Sequence, residues 1–402
     1  MVHSEPNTRK GMPMTSDFES LSRRQFLRLA ALAAAGTALS RRVTTVHAES
    51  DLLPLIDAHL DLGWNITGYG RDYTRSAYLT RAAESGRTVE RIAGRAMLGL
   101  PELLSAQLAV LFGVIFVMPR RAVSAALQVA NYATADEAHA WALRMLADIE
   151  AFAARSGRGV LIRSTDDLDN ALTTWHPSVP PEARRIAILL SMEGADPIRT
   201  PAEFGFWYER GLRCVALAWM RTQYAGGNAE PSGLSAQGEA LLREMGAYRV
   251  LLDTAHLAEQ AFWDCLRHWQ GALIYSHGIP RHFLESQRAL SNDQIGALAE
   301  RGGVIGIGLY SGFYQRRRGT TFTLDDVADS IDYVCQRLGT CAHVALGSDL
   351  DGGFGAFHAP QGVDTIADLP KVIAALRQRG YTQADLVAIA HGNWLRVLRS
   401  AL

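Results

Sequence analysis

Short, almost wholly apolar runs alternate with longer segments of helical period along most of the chain. The apolar runs predict strands at residues 55–60, 112–117, 185–190, 214–217, 249–253, 272–276, 303–307 and 343–347. Between them the periodicity predicts helices at 134–154, 238–245, 258–269, 291–301, 324–338 and 366–379. Strands that are apolar throughout, rather than at every second position, are covered on both faces, as in a parallel sheet wrapped by helices. Eight of them in alternation with helices predict a closed (β/α)₈ TIM-type barrel. An open doubly wound sheet is the alternative, but no G-x-G-x-x-G follows the first strand. Residues 67–101 are polar and rich in Arg, and predict a helical insertion after strand one, near the barrel mouth. The greasiest internal run, 108–118, is too short to cross a bilayer and predicts a buried strand.

Composition narrows the class. The 402 residues are 48% apolar and 20% charged, which suits a folded globular chain and excludes disorder or a disulfide-stapled miniprotein. Basic and acidic residues number 40 and 41, so no net field draws the chain to nucleic acid. Cys214, Cys265, Cys335 and Cys341 lack zinc-finger spacing, and a chain of this size needs no disulfide framework. Free thiols are expected, Cys335 and Cys341 included, so any metal must be held by His and carboxylates.

Residues 1–48 read as an address. A polar lead reaches Ser22-Arg23-Arg24-Gln25-Phe26-Leu27, a short Ala-rich apolar stretch follows, and Val46-His47-Ala48 supplies small residues for cleavage. The Arg pair before Phe-Leu resembles a twin-arginine export signal. The expectation is a precursor handled by the twin-arginine export machinery and a mature periplasmic chain from about Glu49, with 49–402 forming one domain.

The chemistry is expected where barrel strands end, because those ends face the active site. Strand one closes on Asp57-Ala58-His59-Leu60-Asp61, whose period-two spacing points three ionisable side chains to one face. Glu193 follows the third predicted strand, His256 and His277 the fifth and sixth, and Asp349 the last. Unpaired, such groups cost several kcal/mol each to bury, and divalent cations remove that cost by ligation. Five ligands exceed what one tetrahedral ion uses and suit two ions about 3.5–4 Å apart. His59 and Asp61 are assigned to one, His256 and His277 to the other, and Glu193 to both. Imidazole and carboxylate without sulfur select zinc, with manganese or cobalt as alternatives.

These residues, with Gly347-Ser348-Asp349-Leu350-Asp351-Gly352 and the terminal Gly392-Asn393-Trp394-Leu395-Arg396-Val397, together resemble the membrane dipeptidase (renal dipeptidase) family. The resemblance runs from about Leu55 to Leu402. It implies a (β/α)₈ barrel with two zinc ions that hydrolyses dipeptides, often with a D-residue at the C-terminal position, and often as a homodimer. It also implies that Asp349 is the acid/base carboxylate and that Arg288 holds the substrate's free carboxylate, a task suited to a planar guanidinium.

One position departs from the pattern. Well-known members place a histidine after the strand preceding the second ligand pair; here Val215-Ala216-Leu217-Ala218-Trp219-Met220 puts Trp219 there. An indole N–H donates one hydrogen bond and cannot gain a proton. Tyr224, in a Tyr-Ala-Gly-Gly run, and Asn228 are the candidates to contact substrate beside Trp219. His282 and His358 lie on loops that could overhang the site, while Asp253 and Ser276 are placed to orient ligand imidazoles. Two other readings keep the same residues: an amidohydrolase of cyclic amides, β-lactams or other acyl compounds, and a binding protein in which metal is structural.

Overall fold

The computed structural model describes residues 52–123, 129–314 and 320–402; the expected address segment lies outside the described residues. Eight parallel strands form the barrel: β1 Leu55–Leu60, β2 Leu108–Phe116, β3 Ile186–Glu193, β4 Leu212–Ala216, β5 Leu251–Asp253, β6 Leu273–Gly278, β7 Ile305–Ile307 and β8 Val344–Leu346; a short ninth strand, Gly159–Leu161, pairs with the start of β3 off this path. Spatial order follows chain order, as consecutive β-to-β crossovers in a parallel barrel require. Every residue of β1, β2, β3 and β6 is buried, because helices cover the outside while side chains fill the inside. The expected barrel and all eight strands are present, and the apolar run from Leu108 is the longest of them.

β1 and β8 meet through polar groups rather than a full ladder. Asp57 Oδ1 accepts the N–H of Ser348 at 2.8 Å and that of His59 at 3.1 Å, and the Asp349 N–H donates to the His59 carbonyl at 3.3 Å. The Asp57 carboxylate is fully buried, and that burial raises its pKa to about 6 against the opposing pull of the two N–H donors. The terminal helix Asn393–Ala401 holds the same strand from outside: Asn393 Nδ2 donates to the Val344 carbonyl and Trp394 Nε1 to that of Leu346, at 2.8 and 2.9 Å.

Helix boundaries follow capping chemistry. The helix expected from 238 begins at Ala236, because Ser235 accepts the Gly238 N–H. Ser291 and Gln294 form a capping box before Asn292–Glu300. The single helix expected over 366–379 is two: a 3₁₀ turn Ile366–Asp368, then Pro370–Gln378, since a proline lacking an N–H fits a first helical turn but not an interior.

The insertion after β1 carries helices Ala77–Glu84, Thr88–Ala93 and Leu100–Ser105. It is pinned from within by Arg71, which bonds both Glu84 oxygens at 3.0 Å, Asn65 Oδ1 at 2.9 Å and the Gly94 carbonyl at 2.8 Å. Asp351, beyond β8, accepts the N–H groups of Met97 and Leu98 and the Tyr73 hydroxyl. Asn65 Nδ2 donates to the carbonyls of both Asp61 and Asp351 at 2.9 Å, joining the loop after β1 to the loop after β8. Cys214, Cys265 and Cys335 are buried thiols and Cys341 is half-buried.

The β1–β8 seam predicts unequal effects at Asp57. Asp57→Ala strands two buried N–H groups, costing about 1–3 kcal/mol each, and lowers the thermal midpoint by several degrees. Asp57→Asn keeps the accepting oxygen and alters only Oδ2, which has no partner, so it costs less. Differential scanning calorimetry of both variants checks this; an Ala variant as stable as the parent contradicts the seam.

Candidate metal centre

The ends of β1, β3, β5 and β6 and the loop after β8 place six ionisable side chains at the mouth of the barrel. His59 Nε2 lies 3.7 Å from Asp61 Oδ1, 3.8 Å from Glu193 Oε2 and 3.9 Å from Asp349 Oδ1. The other Glu193 oxygen lies 3.1 Å from His256 Nε2 and 3.7 Å from His277 Nε2, and those two nitrogens are 3.0 Å apart. Glu193 therefore divides its oxygens between two sets of imidazoles. Among the described residues, three triads have ligand atoms within 4.8 Å of one another: His59–Asp61–Glu193, Glu193–His256–His277 and His59–His277–Asp349. The five ligand candidates and Asp349 are together. Asp57, expected on the same face, is bound to backbone N–H groups at the β1–β8 seam and joins none of the triads.

The imidazoles are held from behind. Ser276 Oγ lies 2.9 Å from His277 Nδ1, and His256 Nδ1 faces Asn228 Oδ1 at 3.1 Å. Each bond uses the rear nitrogen and leaves Nε2 toward the cluster. Asn228 is thus a support for His256, not the free donor expected from its loop. Asp253 works one step further out: its Oδ1 accepts the N–H groups of Ser276 and Ala255 and so fixes backbone rather than a ring. His256 and Asp349 also adopt left-handed backbone, both with φ of 62°. That conformation is costly for residues with a Cβ and persists where the surroundings impose it. Nothing in the residue pattern announced it.

Electrostatics favour a cation here. Burial drives the His59 pKa down to about 3, helped by the Arg288 charge, and lowers those of His256 and His277 as well. Burial raises the carboxyls of Asp61, Glu193 and Asp349, and each is raised further by another acid of the group. Neutral imidazoles are ready ligands, and a cation would restore the carboxylates to their charged form. Asp61 Oδ1 is buried without any hydrogen-bond partner, the kind of orphaned oxygen that a metal satisfies. On these grounds the donor set fits divalent metal.

Above the cluster opens a cavity of about 310 Å³. Trp219 lines it, half-buried, with its ring 5.1 Å from that of Phe116 and 6.1 Å from that of His256. Tyr224 does not reach it. It is fully buried and its hydroxyl donates to the Ile198 carbonyl, which corrects its expected place against substrate. Arg288 stands behind the wall: its guanidinium donates to the Tyr275 hydroxyl at 2.7 Å and the His277 carbonyl at 3.2 Å, and lies 4.8 Å from the Phe313 ring. His282 stacks on Tyr333 and His358 stands edge-on to Tyr310, and neither is among the residues that line the cavity. Trp64, Phe116, Tyr310 and Phe313 do line it. In sequence these aromatics do not stand out, because such a side chain looks alike in a core and in a binding wall; their position at or just beyond strand ends is the available signal.

The family model described as membrane dipeptidase (Peptidase family M19) matches residues 41–402. Among curated relatives, dipeptidase aclJ of Aspergillus oryzae is 33% identical over 223 residues, 53% of this chain and 51% of that protein. An uncharacterized protein in the pqqA 5′ region of Klebsiella pneumoniae is 30% identical over 231 residues, 54% of this chain and 83% of that one. The chain thus spans only about half the length of the matched dipeptidase. A Rhodobacter sphaeroides metallopeptidase, solved with a phosphinate mimic of the dipeptide L-Ala-D-Ala, shares the fold with a TM-score of 0.71 at 23% identity, over 88% of this chain and 100% of that one. The probable dipeptidase PvdM of Pseudomonas aeruginosa aligns with a TM-score of 0.70 at 16% identity, over 92% and 98%. With the family model covering nearly all of a barrel whose strand ends gather three imidazoles and three carboxylates, the chain belongs to the membrane dipeptidase family of metallopeptidases.

Proposed function

We propose that the protein is a binuclear zinc dipeptidase that hydrolyses the peptide bond of dipeptides, including those with a D-residue at the C-terminal position. The observation that carries this reading is the Glu193 carboxylate, one oxygen toward His59 and the other toward His256 and His277. His59 and Asp61 would hold one ion, His256 and His277 the second, and Glu193 both; manganese or cobalt would fit the same donors. Two such ions, when bound, supply an acidified water and an electrophilic anchor for the peptide carbonyl. The preference for a D-residue draws support from the L-Ala-D-Ala mimic seen in the Rhodobacter protein.

The chain's own residues do the rest. Asp349 lies beside His59 at the cavity floor, where neighbouring cations would keep it ionised. It takes a proton from the attacking water and returns it to the departing amine. Arg288, held behind Phe313 by the Tyr275 hydroxyl and the His277 carbonyl, supplies positive charge on the β6 side that would draw the substrate's free carboxylate there. Trp219 offers its indole N–H at the position where the family's histidine would stand. Because that N–H cannot transfer a proton, a second reading stays attached to the same site: hydrolysis of a cyclic amide, β-lactam or other acyl compound. The Arg23-Arg24 signal further supports export of the precursor by the twin-arginine machinery and cleavage near Glu49.

Three outcomes follow. Metal analysis and turnover on a panel of dipeptides, lactams and esters should give metal-dependent cleavage of dipeptides; cleavage of lactams alone contradicts the leading reading. Asp349→Asn should keep its metal while losing roughly 10²–10⁴-fold in kcat, and a metal-loaded, fully active variant would refute the role of Asp349. Metal loading should also release protons, because burial holds the carboxyls protonated to higher pH in the metal-free protein and loading ionises them. Affinity therefore falls as pH falls. Calorimetric titration in buffers of different ionisation enthalpy measures this directly; a buffer-independent heat contradicts it.

A further inference from the structure

The two sides of the cavity are chemically unequal. On one side Trp64, Phe116 and Trp219 form a continuous run of rings, with centroids 5.3 Å apart for the first pair and 5.1 Å for the second. This run is fixed by strand register. Phe116 ends β2 directly beside Glu193, and Trp219 follows β4, whose Ala216 pairs with Glu193 from the other side. Trp64 is 2% and Phe116 5% exposed, so neither ring can swing away without opening the core. Met118 extends the same wall, and no Lys or Arg lines the cavity among the described residues. Across the barrel, after β7, stand Tyr310 and Phe313, with Arg288 behind the latter.

From this asymmetry we infer that the enzyme selects dipeptides whose N-terminal residue carries a bulky apolar side chain. The inference rests on the dipeptidase reading. With the substrate carboxylate drawn toward Arg288 on the β6–β7 side, the residue on the acyl side of the scissile bond is left to face the aromatic wall between β1 and β4. A leucine, methionine or phenylalanine side chain there exchanges water for ring faces. An acidic side chain would lose its hydration against a wall of rings that carries no positive charge, so it is selected against. The C-terminal side chain faces the shorter pair Tyr310 and Phe313, with the Arg288 charge behind the latter, and is discriminated less.

Steady-state kinetics on X-Ala and Ala-X dipeptides, with X as Gly, Leu, Phe, Asp or Lys and the C-terminal residue in both configurations, tests this. Leu-Ala and Phe-Ala should exceed Gly-Ala in kcat/KM by roughly tenfold or more, Asp-Ala should fall below it, and the Ala-X series should vary less. Trp219→Ala should compress the Leu-to-Gly ratio, whereas Trp219→Phe, which keeps an aromatic face, should preserve it. Equal rates for Gly-Ala and Leu-Ala, a preference confined to Ala-X, or a ratio unmoved in Trp219→Ala would overturn the inference. Absence of turnover on every dipeptide would instead refute the dipeptidase reading. Binding of the same peptides, read by quenching of tryptophan fluorescence, then decides the wall's role: tighter binding of Leu-Ala than Gly-Ala supports it, and equal or weaker binding overturns it.

Discussion

Three carboxyl groups and three imidazoles crowd together at the barrel mouth, five of the six buried and His256 partly so, where little of their surface is left for water to solvate. Left alone, such a group lowers its cost only by going neutral, which is the direction in which burial drives every member of the cluster. A neutral cluster is a poor use of so much polar burial, since replacing it with apolar side chains would stabilise the barrel. The arrangement makes physical sense when multivalent positive charge occupies it. The barrel supplies the scaffold, but the cation requirement explains why these residue types are where they are.

Much of the surrounding structure serves to hold that cluster still. Asp57 closes the β1–β8 seam immediately beneath His59, and Asn65 ties the loop after β1 to the loop that carries Asp349. Arg71 and Asp351 then bind the helical insertion to the same loop. The left-handed backbone at Asp349 lies within these restraints, whereas that at His256 is held by Asn228, whose N–H donates to the His256 carbonyl. The insertion is therefore part of the site's support as well as its rim.

The barrel was legible because parallel strands must be apolar on both faces, and eight such runs stand out between helical periods. Ligand types at strand ends were legible because barrels expose those ends together, which brought His59, Asp61, Glu193, His256, His277 and Asp349 to one place. Contacts made across the chain were not. The hydroxyl of Tyr224 was free to be anything until folding set it against the Ile198 carbonyl, and Asn228 could not be told from a substrate contact until its oxygen met His256. Asp57 shares the spacing of His59 and Asp61 yet serves the seam, because its place below the mouth brings it to the Ser348 N–H.

The central claim is that Glu193 is shared by two cations held on either side of it. Loading the metal-free protein with manganese and recording its electron paramagnetic resonance spectrum addresses that claim without reference to any substrate. Two Mn²⁺ ions about 3.5–4 Å apart through a common carboxylate should give an exchange-coupled spectrum at two equivalents of metal, and Glu193→Gln should abolish the coupling. A spectrum of isolated ions at every stoichiometry, or saturation at one tightly bound ion, would contradict the account.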